Sequence, residues 1–409
     1  MCRPLSRSPT SRERRPSVAE PSRVRHASQM DRPAEARAEA AAAALAPTLG
    51  PVEVRLTERL PGGDRAVVFR ALAVGPQGEQ HAVVLKAPTG MGGGSAREEA
   101  ALRLAAKHRL SGIVRLLGSS IDPPLLVLAD LGRGPTLADR LLGDDPEAAR
   151  AGVLRWAATV GSVQAATAAL GPAFAAELAA VSPLGAPPVD TTRDTLAEAA
   201  VALARDLPRM GVAVPAAALA ELRGVADALD GSRAGAPAGL VPGDTCPSNA
   251  VETDTGIVLL DFEAAEHRHV AWEAAYLCVP WPSCWCSWRL PEEVTAQALQ
   301  AWRQAAAPGA PAVLTPDFQD DLARATIAWV FISASWFLPA ALDGDPPPPD
   351  PARRAIVPTR RALLQHRLRV AADLDTGALP ALRDLADQAH QATVSQWGRR
   401  PLQLAAAFH

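Results

Sequence analysis

The stretch GDTCPSNAVETDTGIVLLDFE, residues 243–263, decides how this chain is read. Ala250 to Glu252, the turn sequence TDTG and the run IVLL follow one another as strand, turn and strand, so the segment folds back on itself. Asn249 stands just before the first strand and Asp261 just after the second. Paired strands lie about 5 Å apart, so the open end of this hairpin brings two oxygen-bearing side chains to one place. Asp244 precedes them in a loop containing Gly243 and Pro247, and can curl back over the same spot. Taken singly, such residues are ordinary turn formers. Together, two carboxylates and an amide without imidazole or thiolate suit a hard cation such as magnesium, which keeps waters and shares phosphate oxygens with its substrate.

Working outward toward the N-terminus, VEVRLTERL (52–60) alternates apolar and polar residues, and AVVFRALAV (66–74) and HAVVLKA (81–87) are β-rich runs joined by the turn PQGE. After the break APTGMGGGS, the stretch AREEAALRLAAKHRL (96–110) has apolar residues at helical spacing, and IVRLLGS (113–119) and PLLVLAD (124–130) return to strand character. The expected order is three strands, one helix and two strands in an antiparallel sheet. From Thr136 the pattern is mainly helical, opening with Thr136 and Asp139 at capping-box spacing. This is an α+β chain, divided into a tail over 1–48, a small sheet-bearing lobe over 49–130 and a larger helical lobe over 131–409.

Composition sets the outer limits. The chain has 409 residues, 48% of them hydrophobic, which is ample for a core, and a net charge of −3 gives no general pull toward nucleic acid or an anionic membrane. Residues 1–37 carry nine arginines against four acids with no hydrophobic period and read as disordered, with Met30 an alternative start and Ala-rich 34–46 a short helix leading into the fold. The five cysteines, Cys2, Cys246, Cys278, Cys284 and Cys286, show no disulfide framework and read as structural thiols in a reducing compartment. No run approaches the ~20 apolar residues of a membrane span, and the arginine-rich start lacks a signal peptide's apolar core, so a cytoplasmic protein is expected.

The chain uses only two lysines, Lys86 and Lys107. Lys86 ends the third expected strand, where a compact ammonium on a flexible stem suits a phosphate better than a forked guanidinium. Gly62 and Gly63 form a Gly-Gly turn between the first two strands, in itself a hairpin signal.

With these residues in view, the chain resembles the aminoglycoside phosphotransferase and choline kinase family, small-molecule kinases of protein-kinase-like fold, over roughly residues 50–340. The resemblance implies a bilobal fold, ATP and Mg²⁺ as cofactors, and a hydroxyl-bearing small molecule (an antibiotic, amino-alcohol, sugar or natural product) as acceptor. It implies Asp244 as the catalytic base, Asn249 and Asp261 as metal ligands, and Lys86 on the α/β-phosphates, paired with Glu98 or its neighbour Glu99. It also implies Gly62 and Gly63 as the phosphate lid and backbone groups of Leu128, Ala129 and Asp130 as the adenine contact.

The chain departs from the family pattern at Pro242, where His is common, at Cys246, at Gln164, and after Asp261, where a Gly-Asp-Pro is missing and Glu273 stands as a substitute anchor. These departures leave two alternatives open, a degenerate kinase-fold binding module and a kinase for a peptide Ser/Thr hydroxyl. For the acceptor pocket, Trp281, Trp285, Trp288, Trp302, Trp329 and Trp336 are candidate walls, with Trp329 and Trp336 also spaced as a core stripe. Glu292, Glu293, Asp317, Asp320 and Asp321 are candidate acids there, or else helix N-terminal charges.

Overall fold

The computed structural model describes residues 34–60, 65–89, 94–182, 187–284, 287–348 and 356–409. Gly62 and Gly63, the expected tail over 1–33, and Trp285 and Cys286 lie outside the described residues.

A helix, α1 (Ala34–Leu49), precedes strands β1 (Glu53–Leu60), β2 (Ala66–Val74) and β3 (Gln80–Pro88), helix α2 (Gly94–His108), and strands β4 (Leu116–Ile121) and β5 (Pro124–Ala129). The five strands form one antiparallel sheet in the order β1-β2-β3-β5-β4. Because side chains alternate across a strand, the sheet has two different faces. Val83, Leu85, Leu125 and Val127 point to one face and pack with Ala41 and Leu45 of α1. Leu126 and Leu128 point to the other and join the main core, which also takes Ala100, Ala101 and Leu104 of α2. Residues 34–48, expected within the tail, therefore belong to the fold. Leu45 is fully buried there, worth about 2 kcal/mol in apolar burial.

The rest is mainly helical: α3 (Leu137–Leu142), α4 (Pro146–Thr167), α5 (Gly171–Val181), α6 (Thr192–Asp206), α7 (Ala216–Ala228), α8 (Ala271–Cys278), α9 (Glu292–Ala306), α10 (Phe318–Leu342), α11 (Arg360–Asp373) and α12 (Pro380–Trp397). The capping box at Thr136 forms, with the Thr136 hydroxyl accepting from the Asp139 N–H and the Asp139 carboxylate accepting from the Thr136 N–H. Two short hairpin-like pairs interrupt the helices: β6 (Ala238–Val241) with β9 (Glu266–His269), and β7 (Ala250–Thr253) with β8 (Gly256–Leu259). The second is the hairpin expected from the quoted stretch, with Ala250 opposite Leu259 and Thr253 opposite Gly256. Glu252 on β7 fixes it against the helices, accepting from Arg140 at 2.8 Å and 3.0 Å and from Arg155 at 2.6 Å.

Two expectations need correction. Helix α10 is long and apolar enough to cross a membrane by length and composition, against the expectation that no run approaches a span; 72% of its apolar window is buried within the fold, as in a core helix. Cys246 and Cys284 are also not free thiols. They form a disulfide across 38 residues, with Cα atoms 5.5 Å apart, while Cys278 is free. A tertiary approach of two loops creates that pair, and spacing along the chain carries no trace of it.

Candidate active site

A cavity of about 780 Å³ lies between the sheet and the β7–β8 hairpin. Its lining includes Lys86, Glu98, Asn249 and Asp261, with Leu128, Ala129 and Asp130 along one wall. Such a volume suits a nucleotide-sized ligand.

Lys86 reaches the cavity because β3 is the central strand, paired through Lys86 with Val68 of β2 and Leu126 of β5. Its ammonium Nζ lies 2.6 Å from Glu98 Oε2 and 2.6 Å from Asp261 Oδ1. Burial pushes Lys86 down, but the carboxylates of Glu98 and Asp261 outweigh it and hold the ammonium above its ordinary value. Burial pushes the Glu98 carboxyl up, against the pull of Lys86. Geometry also chooses between the two neighbouring glutamates, since Glu99 turns away to Arg103 at 2.6 Å and to Ser119 at 2.6 Å.

The loop before the hairpin starts at Gly243. Its φ is +82°, and a Cβ there would stand 1.9 Å from the Ala264 carbonyl, so only glycine allows the two segments to meet. Asp244 follows. Its Oδ1 accepts from the Ser283 hydroxyl at 2.8 Å, and its backbone carbonyl accepts from Asn249 Nδ2 at 3.2 Å. Burial raises the Asp244 carboxyl above its ordinary range, the Ser283 hydrogen bond working against the rise. Pro247 to Asn249 form one tight turn, and Leu260 N–H donates to the Asn249 carbonyl at 2.8 Å, so the hairpin's open end brings Asn249 beside the residue preceding Asp261. Asp261 itself adopts a positive φ of 61°, a conformation in which aspartate is among the better tolerated residues.

The residues fit a divalent cation of the magnesium type. With its Nδ2 engaged by Asp244, Asn249 can present its amide oxygen, and the Asp261 carboxylate faces the same cavity. Among the described residues no three His, Cys, Asp or Glu side chains form a metal cluster. Two protein oxygens suit magnesium, which completes its shell with water and phosphate.

On the wall formed by Leu128 to Asp130, the Ala129 N–H donates to the Arg115 carbonyl at 2.9 Å and the Asp130 N–H to the Ala82 carbonyl at a long 3.4 Å. The Asp130 side chain is tied to Arg70 Nε at 2.9 Å.

Sequence reasoning missed the supports. Arg65 pairs with Glu263 at the cavity edge. Arg97 of α2 donates to the Ala265 carbonyl at 2.9 Å and the Pro188 carbonyl at 2.6 Å, tying α2 to the segment after Asp261. Glu273, named as a substitute anchor, accepts from Arg268 at 2.8 Å, and Arg268 also donates to Glu266 at 2.8 Å. Glu266 in turn accepts from the Thr191 N–H at 2.9 Å. Gln164 is fully buried and accepts from Trp302 Nε1 at 2.7 Å, joining α4 to α9. Trp281, Trp288 and Trp302 are core residues, whereas Trp336 is 47% exposed and stands edge-on to the buried Trp329 at 6.2 Å. The candidate acids Glu292, Glu293, Asp320 and Asp321 occupy the first turns of α9 and α10.

No family model and no curated protein sequence matches the chain. Solved structures with a similar backbone course include a choline/ethanolamine kinase family protein from Mesorhizobium loti, at TM-score 0.48 and 19% identity over 87% of this chain and 98% of that one. Another is the macrolide 2'-phosphotransferase MphH from Brachybacterium faecium, at TM-score 0.40 and 19% identity over 79% and 92%. A third is a putative fructosamine-3-kinase from Thermobifida fusca, at TM-score 0.45 and 17% identity over 81% and 98%.

Proposed function

We propose that this chain is a phosphotransferase that moves the γ-phosphoryl group of ATP to a hydroxyl of a small molecule. One observation carries the reading: Lys86 bridges Glu98 and Asp261 at 2.6 Å each, in a cavity that also holds Asn249, whose amide hangs on the backbone of Asp244. A cation and two oxygen ligands thus meet at a nucleotide-sized space, and Asp244 stands next to it, held through the Asn249 amide. Phosphoryl transfer needs little else, because its catalysis is positioning and charge stabilisation.

In the reaction, the acceptor oxygen forms a bond to the γ-phosphorus while the bond to the bridging oxygen breaks and ADP leaves. Asp244 orients the hydroxyl and takes its proton, for which its burial-raised basicity is suited. Lys86 steadies the α/β-phosphates. Asn249 and Asp261 would hold magnesium, which supplies charge neutralisation on the phosphate oxygens. Leu128, Ala129 and Asp130 line the wall that would face adenine, with the Ala129 and Asp130 N–H groups already donated to the Arg115 and Ala82 carbonyls.

The acceptor side is a smaller cavity of about 140 Å³ beside Gly243, walled by Trp272, Trp329 and Trp336 with Thr191 and Thr192. Its one acid, Glu266, already accepts from Arg268 and Thr191, which leaves little free carboxylate for a polycationic acceptor. An uncharged alcohol bearing a flat apolar ring matches these walls better. The test is incubation with γ-labelled ATP, magnesium and a panel of hydroxylated compounds, ring-bearing neutral alcohols set against aminoglycosides and choline. Label should move to neutral alcohols first. Failure to transfer label to any acceptor, together with no ADP formed above background, would remove the activity.

A further inference from the structure

Resting on the assignment of Asp244 as base, we propose that Ser283 is the positioning residue that aims it, backed by Tyr276 in a Tyr276–Ser283–Asp244 chain. The Ser283 hydroxyl has one proton, and it goes to Asp244 Oδ1 at 2.8 Å. The contact between Tyr276 and Ser283 oxygens, also 2.8 Å, must then have the phenol as donor. The Gly243 carbonyl, at 3.3 Å from the phenol oxygen, is the weaker claim on the same proton. Tyr276 is fully buried on α8, and burial pushes its phenol well above its ordinary value, so it stays a donor throughout. A carboxylate has about four lone-pair sites, so the Ser283 bond fixes its direction and leaves room for the acceptor's proton.

Ser283 can aim another group only if it is itself fixed. The turn after α8 is held from several sides: Trp281 is buried edge-on against Trp156 at 5.8 Å, and Arg367 of α11 donates to the Pro282 carbonyl at 3.1 Å. Arg367 also donates to Ser287 at 3.0 Å, and the Ser287 oxygen lies 2.6 Å from each of the Trp281 and Cys284 carbonyls, which share its one proton. The Cys246–Cys284 disulfide lies alongside. It joins the residue after Ser283 to the residue two beyond Asp244, so a covalent bond runs beside the hydrogen bond. These contacts put a hydroxyl at a fixed point behind the base, which is the pre-organisation that a positioning role requires.

The experiment compares Ser283→Ala, Ser283→Thr, Tyr276→Phe, the Ser283→Ala/Tyr276→Phe pair and Asp244→Asn in magnesium-dependent ATP turnover, with nucleotide binding and thermal melting measured in parallel. Ser283→Ala should lower kcat about 10- to 100-fold with KM for ATP changed less than about threefold. Threonine should restore most of the rate, Tyr276→Phe should cost less than Ser283→Ala, and the pair should be no slower than Ser283→Ala. Wild-type kcat in Ser283→Ala, or an equal loss in nucleotide binding that threonine does not restore, overturns the role. Should wild type and Asp244→Asn both prove inactive, the kinase reading fails by itself, and crystal structures of wild type and Ser283→Ala still decide the contact. A changed Asp244 side-chain orientation supports it, and an unchanged one overturns it.

Discussion

Lys86 holds two acids at once, and this is where a single side chain decides most. Removing its charge leaves Glu98 and Asp261 facing each other, 2% and 30% exposed, with no cation between them. Lys86→Ala should therefore weaken ATP binding at least about tenfold and cut turnover about 100-fold, read from KM and kcat, and Lys86→Arg should not restore it. Unaltered ATP affinity in Lys86→Ala would contradict the phosphate role. His269 gives a pH test. It is 3% exposed, its Nδ1 accepts from the Ala271 N–H, and burial lowers its pKa to about 4 from an ordinary 6.5. Burial opposes the Asp321 carboxylate 3.6 Å from its Nε2 and outweighs it, so the folded state binds this proton less readily than the unfolded chain. Its contribution is complete above about pH 6.5 and is lost as pH falls toward 4, up to about 3 kcal/mol. Urea unfolding at pH 7 and pH 4.5 should show a larger loss for wild type than for His269→Asn; equal losses would contradict it. The places of Lys86, Asn249 and Asp261 were legible because each stands near the end of a strand that its pattern locates, and Asp244 because it sits in the loop before the hairpin, whereas Glu98 on α2 was one of two neighbouring glutamates until its contact with Lys86 separated them. Ser283, Tyr276 and Arg97 were not, because each acts through a tertiary contact from an element whose local pattern is ordinary.

At the scale of elements, the loop before the β7–β8 hairpin and the turn after α8 are two separate loops joined beside Asp244. The disulfide between them closes 38 residues, and chain entropy gives it about 4 kcal/mol of stability. Reduction, or Cys246→Ser with Cys284→Ser, should lower unfolding free energy by roughly 3–4 kcal/mol and reduce turnover more than ATP binding. Unchanged stability and rate under reductant would contradict a structural bond there. The strand and helix order of the small lobe could be read from period and turn chemistry, since each element spans a full pattern. The docking of α1 could not, because a run such as AAAAAL is equally a linker until the sheet face it covers is known. Trp281 and Trp336 teach the same lesson, one buried and one 47% exposed on a cavity wall.

At the scale of the whole molecule, the sheet shares its hydrophobic surface between two cores, α1 on one face and the large helical core on the other. The cavity opens beside the second face, and the ion pairs Lys86 to Asp261 and Arg65 to Glu263 cross it. The central claim is that Asp244 acts as the base on a nucleotide held across this junction. The most direct measurement is ATP turnover and nucleotide affinity of Asp244→Asn beside wild type, with magnesium present. The account predicts turnover lowered at least about 100-fold with nucleotide affinity nearly unchanged. Turnover retained at the wild-type rate would contradict it.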